Sequence, residues 1–322
     1  MAATDRVGRR IMVAVDESEE SMYALQWAVE NLLKEKDHQQ IIVMHAESPT
    51  VSKFAFAGHA AAVAGHHVLD IAGRGGNHIT QRVLSRAKDI CDKHSVSVEI
   101  KVMTGEPKYA ICEAATALKT DLVVVGTHGH GAVKRAVSGS VSEHCTRHCK
   151  CPVLVVKKPH HMAGSERVGR RIMVAVNESE ESMYALQWAL DNVLNQQDNE
   201  QIIVMHAEAP AASKIAIAGH GATSAGHHVM EIAERNENLI TERVLSHARE
   251  ICGKRNVNIE VKVMTGERQY AICEAANELK VDLVVVGSHG HGAMKRAVQG
   301  SVSEYCTRNC KCPVVTVKKP HT

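Results

Sequence analysis

The sequence predicts an α/β protein made of two tandem domains, each with a parallel five-stranded sheet covered by helices on both faces. Two observations support this fold class. The chain repeats itself at a constant offset of 161 residues, so that Gly8 matches Gly169 and Cys151 matches Cys312. Within each repeat, short apolar runs alternate with helical patterns, which is typical of strand–helix–strand units around a parallel sheet.

The long repeat indicates a duplicated domain, because the units of solenoid proteins run to only about 20–50 residues. We expect the first domain at residues 8–158, a linker at 159–168 and the second domain at 169–319. The linker contains Pro159 and Gly164 among polar residues, which is a composition that separates folded segments.

Apolar runs predict the strands of the first copy, at residues 11–15, 41–46, 96–102, 122–125 and 152–156. Ser18 is a plausible N-cap for the helix that follows the first strand, since Glu19 and Glu20 then lie in its first turn. Helical spacing predicts the other helices at residues 68–93, 107–118 and 140–148, and residues 47–67 receive no assignment. The alternating run at 96–102 predicts a strand near a sheet edge.

A glycine-rich loop follows the fourth strand in both copies. It begins at Gly126 in the first copy and at Gly287 in the second, and a predicted helix comes after it. Glycine lets backbone approach a ligand closely, and the N–H groups at a helix N-terminus favour an anion. If strands one and four are neighbours, Asp16 lies opposite this loop, where the strand order reverses and ligands bind in such sheets.

The spacing Gly126-x2-Gly129-x9-Gly139-Ser140 resembles the ATP-binding signature of the universal stress protein (UspA-like) family. The first strand ending in Asp16, and Gly105-Glu106-Pro107, resemble the family as well, and residues 16–27 are similar to its plant members. The resemblance covers both halves. It implies a Rossmann-like (adenine nucleotide alpha hydrolase-like) fold with strand order 3-2-1-4-5, and binding of ATP or another adenine nucleotide by a stress-response or signalling module.

The resemblance also implies the roles of the binding residues. The nucleoside lies at Asp16 and Ala46, Val125 and Gly126 line the pocket, and the rest of the loop and the start of the following helix hold the phosphates. In the first copy the set is Asp16, Ala46, Val125, Gly126, Gly129, Gly139, Ser140, Val141 and Ser142. In the second copy it is Asn177, Ala207, Val286, Gly287, Gly290, Gly300, Ser301, Val302 and Ser303. Asn177 departs from the pattern, because an amide is neutral and accepts through one oxygen only. We therefore expect weaker binding in the second copy.

The sequence favours nucleotide binding over turnover. It contains no Walker A motif and no kinase catalytic loop, and we assign no catalytic residue and no metal ligand, although Asp16 could meet Mg²⁺ through the phosphates. A slow ATPase or autokinase, with Ser140 and Ser142 as phosphate acceptors, is one alternative. A nucleotide-free chaperone or a redox-responsive scaffold is another.

The ten cysteines are expected as reduced thiols, because no N-terminal apolar core of a secretory signal is present. Cys145 and Cys149 are four residues apart and share a helix face, with Cys151 close behind. Buried packing is the preferred interpretation of these three thiols, with zinc or redox sensing as the alternative. The second copy keeps the cysteines but has Tyr305 and Asn309 in place of the neighbouring histidines.

The formal net charge of +2 argues against a dedicated nucleic-acid binder, and no apolar run is long enough to cross a bilayer. These features predict a cytoplasmic protein, with nuclear entry left open.

The last strand of each copy is too apolar to leave bare at a sheet edge. The resemblance implies that the two copies pair through these strands as an intramolecular pseudo-dimer; further association of chains into a homo-oligomer stays open.

Overall fold

The computed structural model describes residues 8–33, 39–47, 65–127, 141–158, 169–195, 199–209, 225–288 and 302–320, with side chains described from residue 78 and from residue 235 in the two long helices. The chain divides into two units, Met1–His160 and His161–Thr322, which are described separately below.

The described residues of the first unit alternate strands and helices from end to end. Its elements are β1 (Arg10–Val15), α1 (Glu19–Leu32), β2 (Gln40–Glu47), α2 (Gly65–Lys93), β3 (Val98–Thr104), α3 (Pro107–Ala117), β4 (Leu122–Gly126), α4 (Val141–His148) and β5 (Val153–Val156). The strands are parallel in the order β3-β2-β1-β4-β5. The α/β class and the order 3-2-1-4-5 predicted above are confirmed.

The second unit repeats the first. Its elements are β6 (Arg171–Val176), α5 (Glu180–Asn192), β7 (Gln201–Glu208), α6 (Ala225–Gly253), β8 (Ile259–Thr265), α7 (Arg268–Glu278), β9 (Leu283–Ser288), α8 (Val302–Asn309) and β10 (Val314–Lys318). Its strands are parallel in the order β8-β7-β6-β9-β10.

The structure shifts two of the predicted elements. Helix α2 begins at Gly65 instead of residue 68 and continues through the glycines at 73–76, so the low helix propensity of glycine does not end it. Strand β3 lies two residues later than predicted, at Val98–Thr104, and is the outer strand of the unit's own order. Its alternating sequence therefore belongs to an edge strand, as expected.

Helix α1 begins where the sequence predicts. The Ser18 hydroxyl accepts a hydrogen bond from the backbone N–H of Ser21 at 3.2 Å, and Glu19 and Glu20 lie in the first turn. The cap satisfies one of the four backbone donors that a helix leaves open at this end. Ser179 caps α5 in the same way, through Ser182. Both helices thus begin directly above the carboxyl end of a central strand.

Candidate functional site

Strands β1 and β4 are neighbours at the centre of the first unit's sheet. Ile11 pairs with Leu122 and Val13 with Val124, in parallel, so both strands end at the same edge. From there the chain leads in opposite directions, β1 towards β2 and β3, and β4 towards β5. This edge is the switch point of the sheet, and ligands of open α/β sheets bind in the crevice outside such an edge.

Asp16 follows β1 at this edge and forms a tight turn into α1. Its Oδ1 accepts hydrogen bonds from the backbone N–H of Ser18, at 3.0 Å, and from the Ser18 hydroxyl. Its backbone N–H donates to the Ser21 hydroxyl at 3.0 Å. The residue is exposed. The carboxylate is therefore held in place by the helix start while it faces solvent at the switch point.

Asn177 makes the same turn in the second unit. Its Oδ1 accepts from the Ser179 backbone N–H at 2.9 Å, and its own N–H donates to the Ser182 hydroxyl at 3.0 Å. An amide oxygen can replace a carboxylate oxygen in this turn, since either accepts from the N–H two residues on. The two units therefore differ at this position in charge and not in local backbone structure.

Gly126 ends β4 directly against the first turn of α1. A Cβ placed on it would lie 2.6 Å from the carbonyl oxygen of Glu20 and 2.9 Å from the nitrogen of Ser21. Gly287 meets Glu181 and Ser182 at the same distances. The sequence predicts these glycines as pocket lining. The structure adds a packing reason, because only a residue without a side chain lets the helix start approach the strand end this closely.

His45 and His206 join the ends of neighbouring strands. His45 Nδ1 lies 2.8 Å from the carbonyl oxygen of Val15, and His206 Nδ1 lies 2.9 Å from that of Val176. His206 is 3% exposed, and its Nε2 has no hydrogen-bond partner among the described residues. Sequence reasoning did not place these histidines in the site; their position one residue before Ala46 and Ala207 was the available signal.

The structure places eight of the remaining fourteen predicted site residues. Ala46 and Ala207 lie near the carboxyl ends of β2 and β7, and Val125 and Val286 lie in β4 and β9. Ser142 and Ser303 lie in the first turns of α4 and α8, where they are buried, next to Val141 and Val302. The predicted loop residues Gly129, Gly139, Ser140, Gly290, Gly300 and Ser301 lie outside the described residues.

A cluster of three thiols lies on the face of the sheet covered by α3 and α4. It consists of Cys112, Cys145 and Cys149, whose sulfur atoms all lie within 4.8 Å of one another. Cys112 Sγ is 3.3 Å from Cys149 Sγ. The sequence grouped Cys151 with these cysteines, whereas the structure brings Cys112 into the group and places Cys151 Sγ 3.6 Å from the Thr120 hydroxyl.

The thiols of this cluster differ in acidity. Hydrogen bonds from the Cys145 and Cys149 thiols lower the pKa of Cys112 and outweigh its partial burial. The hydrogen bonds of Cys149 with Cys112 and with Cys145, together with burial, raise the pKa of Cys149. Outside the cluster, burial raises the pKa of Cys91 to about 11. Cys112 is therefore the thiol of this group that is ionised most readily.

We predict that iodoacetamide alkylates Cys112 of the reduced chain at pH 7 at least about ten-fold faster than Cys91, because the thiolate is the reactive form. Peptide mass spectrometry over a time course measures both rates. The Cys112 rate should change little between pH 6 and pH 8, since a lowered pKa keeps the thiol ionised throughout. A Cys112 rate that rises about ten-fold per pH unit, as for an ordinary thiol, would contradict this acidity.

None of the helices in the described ranges combines the length and the apolar character that a bilayer crossing requires.

Comparisons with known proteins agree with the fold. The family model described as the universal stress protein family matches residues 8–157 and again 169–318. A universal stress protein of Methanocaldococcus jannaschii is 30% identical over 151 residues, covering 47% of this chain and 83% of the relative. One of Mycolicibacterium smegmatis is 24% identical over 309 residues, covering 96% of each chain.

A solved structure shares the architecture over nearly the whole chain. It is a universal stress protein from Archaeoglobus fulgidus, with a TM-score of 0.63, 20% identity, and coverage of 96% of this chain and 98% of that one. At this identity the likeness concerns the fold alone. Because the family model matches both halves almost completely, the chain belongs to the universal stress protein family and carries two copies of its domain.

Proposed function

We propose that the chain is a stress-response or signalling module that binds ATP, or another adenine nucleotide, at the carboxyl edge of β1 and β4 and at the equivalent edge of β6 and β9. The observation that carries the proposal is the adjacency of β1 and β4 at the switch point, since it brings Asp16 and the start of the glycine loop to one crevice. The second unit has the same adjacency.

The residues at the edge fit a nucleoside. The exposed Asp16 carboxylate accepts hydrogen bonds, which suits ribose hydroxyls or a base amino group. In the second unit, His206 Nε2 lies beside the equivalent edge and has no hydrogen-bond partner within the described part of the chain. Leaving a buried polar atom without a hydrogen bond costs about 1–3 kcal/mol. In this proposal the Ala46 and Ala207 backbones meet the adenine edge.

The phosphates are assigned to the loop and the helix after it. This set comprises Gly129, Gly139, Ser140, Val141 and Ser142, with Gly290, Gly300, Ser301, Val302 and Ser303 in the second unit. Val125, Gly126, Val286 and Gly287 line the pocket in this proposal. Backbone N–H groups and a helix N-terminus stabilise the negative charge of a polyphosphate. Mg²⁺, where present, would neutralise phosphate charge next to Asp16.

Binding without rapid turnover is the preferred form of the proposal. Ser142 is buried, 7% exposed, which disfavours it as a phosphate acceptor. The chain has no Walker A motif and no kinase catalytic loop to position metal ions and a nucleophile. Phosphate release in a single turnover, lost on substitution of Gly139 or Ser140, would instead establish the slow ATPase or autokinase.

Native mass spectrometry of the full chain, purified without added nucleotide, tests the function. We expect a mass increment equal to an adenine nucleotide on part of the molecules, and up to two increments per chain after ATP is added. A chain that stays at its own mass in saturating ATP while folded would refute nucleotide binding and leave the nucleotide-free scaffold as the function.

We further propose the domain limits 8–158 and 169–319, joined by residues 159–168, with the two copies pairing through their last strands. The support is the apolar sequence of those strands. Light scattering should then give the mass of a single chain; twice that mass would indicate a homo-oligomer. A cytoplasmic location belongs to the same proposal and is supported by ten cysteines that form no disulfide bond.

A further inference from the structure

The three-thiol cluster of the first unit recurs in the second as Cys273, Cys306 and Cys310. The three sulfur atoms again lie within 4.8 Å of one another, with Cys273 Sγ 3.1 Å from Cys310 Sγ. In both units one thiol comes from the helix after the third strand, one from the helix after the glycine loop, and one from the residue directly after that helix. We name these groups the first and second thiol clusters.

Rigid elements hold the sulfur atoms in place. The N–H of Cys149 donates to the carbonyl oxygen of Cys145 at 2.9 Å, so the hydrogen-bonding pattern of α4 extends to the third thiol. Cys310 and Cys306 are linked in the same way at 3.0 Å. Apolar residues of α3, β4 and β5 pack around the first cluster, among them Ala114. A site built from packed helices keeps its geometry better than one on loops.

Each cluster has a closed side and an open side. Cys145 and Cys149 are 0% and 1% exposed, and Cys306 and Cys310 are buried as well. Cys112 and Cys273 are partly exposed. An ion could therefore enter past Cys112 or Cys273 and keep one coordination position towards solvent, as in zinc sites with three protein ligands.

The surroundings of the two clusters differ while the thiols are the same. In the first unit His144 stacks on His148, with ring centroids 4.0 Å apart, and Tyr109 contacts His144 edge-on at 5.0 Å. In the second unit Tyr305 stands in place of His144 and contacts Tyr270. Neither histidine belongs to the group of mutually close ligand atoms. The donor set shared by both units is therefore three sulfur atoms.

The spacing suits a metal ion better than a disulfide. Sulfur ligands about 2.3 Å from a zinc ion lie about 3.8 Å apart. This lies between the 3.3 Å that separates Cys112 and Cys149 and the 4.8 Å within which all three sulfur atoms lie. A disulfide requires a separation of about 2.05 Å, so Cys112 and Cys149 would have to approach by more than 1 Å, and Cys145 would have no role. Soft thiolate ligands select thiophilic ions such as Zn²⁺ and Cu⁺.

We propose that each thiol cluster binds one thiophilic metal ion of the Zn²⁺ class through three cysteine sulfur atoms, with the fourth position open to solvent at Cys112 or Cys273. On binding, each cluster thiol that is still protonated loses its proton to the buffer, and three sulfur–metal bonds form. No electron is transferred. The two sites lie on the α3–α4 and α7–α8 faces.

Titration of the full reduced chain with Cd²⁺ under anaerobic conditions tests the proposal, because cadmium bound to thiolates absorbs in the ultraviolet. We expect an end point of two ions per chain and competition by Zn²⁺. Cys112→Ser and Cys273→Ser should each reduce the end point to one ion, and the double variant should abolish it. The matched control, Cys91→Ala with Cys252→Ala, removes two buried thiols outside the clusters and should keep two ions.

An end point of zero in the unaltered chain would overturn the proposal, and so would an unchanged end point of two in the Cys112→Ser/Cys273→Ser variant. Loss of two hydrogens per cluster on exposure to peroxide, without any cadmium band in the reduced chain, would also overturn it and indicate a redox pair. If the double variant does not fold, cadmium NMR of the unaltered chain decides, since two resonances typical of three sulfur ligands are expected.

Discussion

Gly126→Ala should destabilise the first unit by about 1–3 kcal/mol, the usual cost of forcing extra volume into a packed region. The new methyl group would lie 2.6 Å from the carbonyl oxygen and 2.7 Å from the carbonyl carbon of Glu20. These are backbone atoms at a capped helix start, so they cannot rotate away as a side chain would. Replacing a glycine also restricts the unfolded chain, which stabilises the folded state by about 0.5–1 kcal/mol. This gain does not offset the clash.

Urea unfolding followed by tryptophan fluorescence measures the effect in the affected unit. The chain has two tryptophans, Trp27 in α1 and Trp188 in α5, so a Trp188→Phe background leaves Trp27 as the reporter of the first unit. Gly253→Ala is the control for replacing a glycine without a clash, because a Cβ there meets nothing within 4 Å. It lies in the second unit and is therefore read by Trp188 in a Trp27→Phe background. A Trp27 midpoint that Gly126→Ala leaves unchanged would contradict the close approach of β4 and α1.

The residue at position 16 or 177, aspartate or asparagine, should set the nucleotide affinity of its unit. We expect Asp16→Asn to weaken binding in the first unit about ten-fold, the difference between a hydrogen bond to a charged acceptor and one to a neutral acceptor. Asn177→Asp should strengthen the second unit by a similar factor. Calorimetric titration of the full chain with ATP should then show two similar weak sites in the first variant and two similar tight sites in the second.

The turn geometry makes this exchange a clean comparison. The side-chain oxygens of Asp16 and Asn177 accept from the serine N–H two residues on at 3.0 and 2.9 Å, so either residue preserves the helix start. The thermal midpoints of both variants should therefore stay within a degree or two of the parent. Affinities that remain unchanged in both variants would show that the carboxylate does not contact the ligand.

Much of the architecture could be predicted from the sequence. Continuous apolar runs such as residues 11–15 and 122–125 mark buried parallel strands, and the exact repeat transfers every assignment to the second unit. The order 3-2-1-4-5 followed from the alternation of strands and helices together with the family resemblance. It placed Asp16 next to the strand that ends at Gly126, which the structure confirms.

Other features depend on tertiary contacts that spacing does not reveal. Cys112 lies 37 residues before Cys149 in sequence, and their sulfur atoms meet only because α3 and α4 pack side by side. The close approach of α1 likewise requires a glycine at position 126. The position of Gly126 after a strand had suggested only that it lines a ligand pocket. Whether His206 finds a hydrogen-bond partner also depends on the fold, since its Nε2 is buried and has none among the described residues.

The most direct test of the nucleotide site is the chemical-shift change of backbone amides in the full chain when ATP is added. We expect the perturbed amides to cluster at the carboxyl edge, at Asp16, Ala46 and Gly126, and more weakly at Asn177, Ala207 and Gly287. Perturbation confined to the opposite edge of the sheets, or none at saturating ATP, would rule out nucleotide binding at this edge.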